Sequence, residues 1–498
     1  MAANFASAAS QSLAVFVIVC AVGYYYVFSP PKHPVGVPVI PFWVALLPIF
    51  STVDQSEVFR KYLEKPLFTH GAVKLWFGGK WNVLVHSPKY VAELFKREDV
   101  YQKSGNFKKI PHSVLGAFLG DQIISNTGES WKLYQGVIKP ALQLPFDHGI
   151  LFENARRLAK LVAEDQSHAA GGAGIVIHGL FQKYCIQNYG QVFMRTDLKA
   201  MGPEDIPMLK LQKRVRLEVT DAIVFNFPIV DRLPLAWRKR ARQLTVDYKD
   251  RLVELAANVP PKGIGEPDRL IDRLIAARKS EAFTEKQLRD NLTITFVAGH
   301  ENPLLALLST MYLLAKSPDA QRRLREEVGT IGDAVPGWDT LQTMPWLTAV
   351  VYESLRLLPP ISQLITRRAA TSVTLDNGKV VPEGTYIGYN CYSTNRHPDA
   401  WGQDADQFLP QRWGSTCEEV QKLYRLRRSR AEFISFHGGR RACLGEKYAL
   451  MQIKATLYVL VKEFQWRLDP AWPERMSPTT PLHPRGLQLI FRKRESTS

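Results

Sequence analysis

Residues 13–28 form an almost unbroken apolar run, and no side chain from Met1 to Pro31 carries a charge. With the small residues before it, the run is just long enough to cross a bilayer as a helix, and Tyr24, Tyr25 and Tyr26 suit its interfacial end. A cleaved signal peptide is the competing reading, but the basic first region such a peptide needs is missing. Lys32 and His33 follow the run and put the rest of the chain on the cytoplasmic side. The proline-rich stretch 30–38 cannot continue a helix and is predicted to be a stiff extended hinge. Residues 42–50 are apolar again but too short to span, so they are predicted to lie against lipid or against the rest of the protein.

Beyond the hinge, residues 72–85 roughly alternate apolar and polar around Gly78-Gly79, which predicts a hairpin. Helical periodicity then dominates, over 88–96, 155–166, 247–257, 267–280, 284–315, 319–328 and 347–358. Strand-like pieces return at 372–381, with Asp376-Asn377-Gly378 as a turn, and at 486–492. The element opening at Thr284 is about thirty residues long, enough to cross a whole domain. The chain therefore reads as mainly α with small β-sheets near its two ends. It divides into a membrane anchor (1–29), a hinge and membrane-proximal segment (30–50) and one large domain (51–498), with no internal repeat.

At 498 residues and 46% apolar content the chain can bury a large core. Its five cysteines are scattered and show no C-x-x-C spacing, which argues against a disulfide framework or a zinc site. A formal net charge of +17 fits nucleic acid, an anionic membrane or an acidic protein, but no nucleic-acid module accompanies it. The basic residues gather at 237–242 and 422–430, each either a solvated face or, for the second run, a docking surface for an acidic electron donor.

The chemistry lies in the run Phe436-His437-Gly438-Gly439-Arg440-Arg441-Ala442-Cys443-Leu444-Gly445. A glycine-rich bend feeds a helical pattern over 446–462, which puts Cys443 at a helix N-terminus, where N–H groups and the dipole favour a thiolate. Gly439 and Gly445 would let the backbone approach a flat macrocycle, and Arg441 could offer a cation to a buried carboxylate. The complete spacing F-x-x-G-x-R-x-C-x-G is the haem-binding signature of the cytochrome P-450 family, which this chain resembles over nearly its whole length.

The resemblance implies the cytochrome P-450 fold, with haem b between a long central helix and the loop and helix that carry the cysteine. Cys443 would be the axial thiolate, Phe436, Gly439 and Gly445 would shape its loop, and Trp131, Arg367 (or its neighbour Arg368) and Arg441 would meet the propionates. The basic residue usual four positions after the tryptophan is Gln135 here, leaving that contact weakened or taken over by Lys132 or Lys139. Glu353 and Arg356, one helical turn apart, would join Arg412 in a buried charge network that locks the core.

Ala298-Gly299-His300-Glu301-Asn302-Pro303 resembles the family's oxygen-activation segment. Ala298 and Gly299 would leave room beside the haem, and Pro303, lacking an N–H, would free the Gly299 carbonyl to hold a water. Glu301 is then the candidate proton relay. The family usually has threonine where this chain has Asn302, a group that orients water but donates protons poorly. The His-Glu-Asn-Pro sequence resembles fungal members that oxidise tyrosine derivatives, such as the dityrosine-forming enzymes of spore walls. Family substrate-pocket positions map onto 101–119, 219–227, 291–301, 361–365 and 478–484, where Phe225, Phe227, Phe296 and Ile365 suggest an apolar pocket.

The resemblance thus implies a monomeric haem-thiolate monooxygenase of the endoplasmic reticulum membrane, fed with electrons from NADPH by a cytochrome P-450 reductase and by cytochrome b5. Its expected substrate is a lipophilic small molecule, as in secondary metabolite biosynthesis. Oxidative coupling of phenolic or aromatic amino-acid derivatives, and a reductase-independent isomerase or dehydratase, are the rival activities.

Overall fold

Helix Glu285–Lys316 is the spine of the computed structural model, which describes residues 2–50, 52–331, 336–375 and 378–494. At 32 residues it is roughly 48 Å long. Thr284 opens it with a capping box: its hydroxyl accepts from the Gln287 N–H, and the Gln287 side chain accepts from the Thr284 N–H. Pro303 sits inside it, and the helix remains one element. Helix His178–Phe193 crosses the spine closely at Gly299, where a Cβ would lie 2.5 Å from the Tyr189 ring. The space left by this glycine is filled by a packing contact.

Helices Pro345–Leu357 and Glu446–Glu463 pack on the spine, each buried along most of its length. A five-stranded sheet lies to one side, in the order Ala72–Phe77, Lys80–Val85, Tyr386–Asn390, Gln363–Ala369, Tyr101–Lys103. Its first pair is the expected hairpin, turning on Gly78 and Gly79, both at positive φ. A three-stranded sheet joins Ile175–Val176, Gln488–Lys493 and Phe464–Leu468. Val373–Thr374 and Val380–Val381 pair as expected, while Asp376 and Asn377 of the expected turn lie outside the described residues.

Several helices extend past their periodic cores. The 155–166 pattern is the inner part of His148–His168, whose start is fixed by Asp147 accepting from the Gly149 N–H. The 247–257 pattern is the second half of Ala236–Ala257.

The first helix, Ala2–Phe28, stops just before Pro30. The side chains of 2–12, 26 and 27 lie outside the described residues, so the expected anchor falls partly on them, and among the described residues no helix is long and apolar enough to cross a membrane. The side chains of 13–20 are exposed, Phe16 by 65%. The Phe28 ring meets Phe42 at 4.5 Å and Trp76 at 5.4 Å, and the Trp81 indole donates to the Phe28 carbonyl at 3.1 Å. The segment Phe42–Ile49 is a 3-10 helix, tied down where Asn226 donates to the Ala45 carbonyl at 2.9 Å. Trp43 and Phe50 stay exposed beside it, as do Ile223, Ile229, Leu233 and Trp237 of the neighbouring segment.

Candidate active site

Cys443 sits in a tight loop closed by its own N–H donating to the Phe436 carbonyl at 2.9 Å. Gly439, at φ +64°, makes this loop possible, because a Cβ there would lie 2.6 Å from the Phe95 carbonyl oxygen. Its close neighbour is thus helix Pro88–Lys96, whereas Gly445 faces open space. Phe436 is buried below the loop. The helix after the loop starts at Glu446, three residues past the cysteine, and burial outweighs any help from its dipole: the thiol is pushed up to about 11. A thiol so placed becomes a thiolate when a metal ion takes the place of its proton. As a residue Cys443 is exposed, unlike Cys185 and Cys391, and it lines a cavity of about 550 Å³ with Leu142, Trp338, Tyr352, Gln421 and Lys447.

Close to this loop the chain gathers buried positive charge. Lys103 and Arg367 are direct cross-strand partners, like charges in a position that is ordinarily unfavourable. Among the described residues the Lys103 ammonium hydrogen-bonds only the Thr366 hydroxyl, at 3.3 Å. Arg367 donates one N–H to the Tyr101 carbonyl at 2.8 Å, and its buried Nε has no partner. Arg441 pairs with Glu98, donates to the Asn126 carbonyl at 2.8 Å and stacks on the Trp131 ring at 3.8 Å. Burial, then Arg367 and Arg441, hold the Lys103 pKa far below that of a free lysine, and burial brings Arg441 down to about 10. His437, beside them, shares a 2.9 Å hydrogen bond with the Tyr389 hydroxyl and is pushed down to about 3 by burial and then by Lys103 and Arg367.

Glu98 is one carboxylate against three cations. The indole N–H of Trp131 meets no protein acceptor among the described residues. The cluster therefore suits a ligand with two carboxylates, and the propionates of a haem fit it. Strand alternation separates the two neighbours: Arg367 is buried, while Arg368 is exposed and donates to the Gly384 carbonyl.

The central helix is buried along both flanks but partly open at Thr295, Val297, Ala298, Gly299, Glu301 and Asn302. His300 turns the other way, fully buried, its Nδ1 2.6 Å from the Phe296 carbonyl. The Glu301 carboxylate accepts from the Gln212 amide, whose own oxygen accepts from the Tyr248 hydroxyl. Burial raises the Glu301 pKa, with Arg216 and the Gln212 bond opposing. Such a carboxyl, only partly exposed, can take and return protons near neutral pH more readily than a fully exposed one. Asn302 donates to the Ala298 carbonyl at 3.4 Å, so its amide N–H is turned to the helix backbone.

The charge network is complete. Glu353 binds Arg356 through two parallel bonds of 2.8 Å, accepts from Arg412 at 2.8 Å, and also accepts from the Trp413 indole at 2.9 Å. Arg356 further donates to the Asn395 and Ala405 carbonyls. Two expected pocket residues face elsewhere: Phe225 packs on Phe77 and Phe227 on Phe28 and Phe42, toward the N-terminal segment. Phe296 and Ile365 are buried, Phe296 against Tyr189. The basic run 422–430 is partly internal, with Arg427 paired to Glu432 and Arg428 to Glu446, while Lys422, Arg425 and Arg430 are exposed.

The pattern of the cytochrome P450 family matches residues 34–491. The chain belongs to the cytochrome P450 family. It is an oxidoreductase of the monooxygenase kind, and the family carries haem iron held by a cysteine thiolate. It is 37% identical over 482 residues to Cytochrome P450-DIT2 of Saccharomyces cerevisiae, covering 96% of this chain and 97% of that protein. It is 35% identical to Cytochrome P450 monooxygenase xanG of Aspergillus fumigatus, over 93% and 88% of the two chains. Its fold matches the crystal structure of a cytochrome P450DA heme domain with a TM-score of 0.72 at 19% identity, over 94% and 97% of the chains. Within this P450, Glu98, Gln212, Tyr248 and Trp413 escaped the sequence reading, which held Lys103 only inside the 101–119 pocket range and His437 only inside the cysteine run, neither with a role. Trp413 adjoins Arg412 and was within reach, whereas the others come together only through strand pairing or helix crossing.

Proposed function

We propose that this P450 is a membrane-anchored monooxygenase that oxidises a lipophilic organic substrate with electrons passed from NADPH by a separate reductase. The observation that carries the reading is the exposed residue Cys443 beside a buried cluster of three cations that, among the described residues, Glu98 alone balances. Cys443 would ligate the iron, and Trp131, Lys103, Arg367 and Arg441 would hold the propionates, with His437 at their edge. Bound haem supplies dioxygen activation at its iron. Glu301 holds the proton on the open side of the central helix, fixed by Gln212, and the free carbonyl oxygen of Asn302 orients water there. The apolar run 13–28 supports an endoplasmic reticulum anchor, and exposed Lys422, Arg425 and Arg430 support docking of an acidic electron donor, reductase or cytochrome b5.

The test is the reduced, carbon-monoxide-bound absorption spectrum, which reports thiolate ligation. The wild-type enzyme should give the thiolate band and Cys443→Ala should lose it; a band that survives the substitution rejects the assignment. A second reading, oxidative coupling of phenolic or aromatic amino-acid derivatives, is favoured by the 37% identity to Cytochrome P450-DIT2 together with the His-Glu-Asn-Pro segment. Product mass separates the two, since only oxygenation carries label from isotopic dioxygen.

A further inference from the structure

We propose that Arg216, held between His178 and His483, is a subsite for a carboxylate of the substrate; this deepens the monooxygenase reading and rests on it. Arg216 stands near the end of helix Pro207–Glu218. Its Nη1 lies 3.1 Å from Nε2 of His178, and its Nη2 lies 3.3 Å from Nε2 of His483. A guanidinium has only donors, so both imidazoles must present a bare nitrogen to it. Nδ1 of His483 lies 3.3 Å from the Pro481 carbonyl, which suits the matching tautomer. Burial first, and Arg216 next, push His178 down to about 4 and His483 to about 3, so both rings are neutral at physiological pH.

The guanidinium is thus fixed in direction by two neutral acceptors, and no carboxylate among the described residues pairs with it. Other cations of the same helix are matched: Lys213 with Asp205 and Arg214 with Glu218. A structural arginine tying three segments together would be expected to end on a carboxylate or on carbonyls. This one is exposed to solvent and ends on two neutral rings, with Nε and part of its fork free for a carboxylate.

Its place fits a substrate contact. Gln212, one helical turn earlier, reaches Glu301 in the open band of the central helix, and Arg216 is near enough to Glu301 to oppose the rise in its pKa. His483 belongs to the 478–484 loop and is only 3% exposed. A carboxylate bound here would lie one helical turn from the Gln212–Glu301 contact, anchoring one end of an organic acid while its body reaches toward the central helix.

The test uses the intact holoenzyme as its reduced carbon monoxide complex, with 15N-labelled histidine, titrated with benzoate and, separately, with the isosteric benzamide. Benzoate should shift the His178 and His483 signals and saturate at a concentration about tenfold or more below that of benzamide. Arg216→Gln should erase the preference, and Arg216→Lys, which keeps the charge but loses the fork, should retain only part of it. His178→Gln assigns the signals and serves if Arg216→Gln folds poorly. Equal response to acid and amide, no response to either, or a preference that survives Arg216→Gln overturns the proposal. The thiolate band of the same samples reports separately on the monooxygenase reading: a normal band with no anion preference sinks the subsite alone.

Discussion

Glu301 is positioned by an amide, and this makes its role separable from its place. Glu301→Gln keeps the volume and an acceptor for Gln212 while removing the exchangeable proton. General acid–base groups contribute roughly 10²–10⁴-fold, so product formation should fall at least tenfold while the thiolate band and melting temperature hold, and the solvent isotope effect should rise. An unchanged rate would remove Glu301 from the proton path. Lys103 gives a second residue test. Its ammonium is buried opposite Arg367 with one hydroxyl as partner, so in the haem-free chain it is a liability. Lys103→Met should raise the melting temperature of the haem-free protein and speed haem loss to an acceptor globin about tenfold. Faster loss without the gain in stability would mean that the lysine supports the strand pair itself.

At the scale of elements, helix Pro345–Leu357 is anchored to the 3-10 segment Pro410–Trp413 through one carboxylate. Glu353 satisfies Arg356, Arg412 and Trp413, all through fully buried oxygens. Glu353→Ala strands the Arg356 charge and should cost about 3–5 kcal/mol, read as a shift in the urea midpoint together with loss of haem. Arg412→Lys, at the more exposed end, should cost clearly less. The reading of the sequence did well where an element announces itself. The central helix shows its capping box and thirty residues of pattern, and the hairpin turns on two glycines. It did poorly for His178–Phe193, buried on nearly every face and so without an amphipathic stripe, and for Pro207–Glu218, whose charged residues mask the buried Met208, Leu209, Gln212 and Val215. The same limit governs the site. Cys443, Glu353, Arg356 and Arg441 carry local spacing, whereas Lys103 acquires meaning only when a three-residue strand brings it opposite Arg367. Arg216 likewise becomes notable only once His178 and His483, 305 residues apart in sequence, converge on it.

For the whole molecule, buried neutral histidines set the response to acid. His86 is 1% exposed, stacked on His397 with ring centroids 5.0 Å apart, and its Nδ1 has no partner to welcome a proton. Burial, then His397, pushes it down to about 3, and burial brings His300 to about 4, against 6.5 for a free histidine. Between pH 6.5 and about 4 the unfolded chain therefore binds protons that the native state refuses, and stability falls as pH falls, by on the order of 1 kcal/mol per pH unit for each such group. Glu301 and Glu327, whose burial raises their pKa, act in the opposite sense near the bottom of this window, because the native state then binds their protons first. The histidines begin to titrate at higher pH and should dominate from pH 7 to 5. His86→Phe suits a site already flanked by the Phe68 ring at 4.6 Å and removes one of these proton debts. The urea midpoint measured at pH 7.5, 6.5 and 5.5 should decline less steeply in this variant than in the wild type, whatever its stability at pH 7.5. Parallel declines would show that His86 accepts its proton in the folded enzyme.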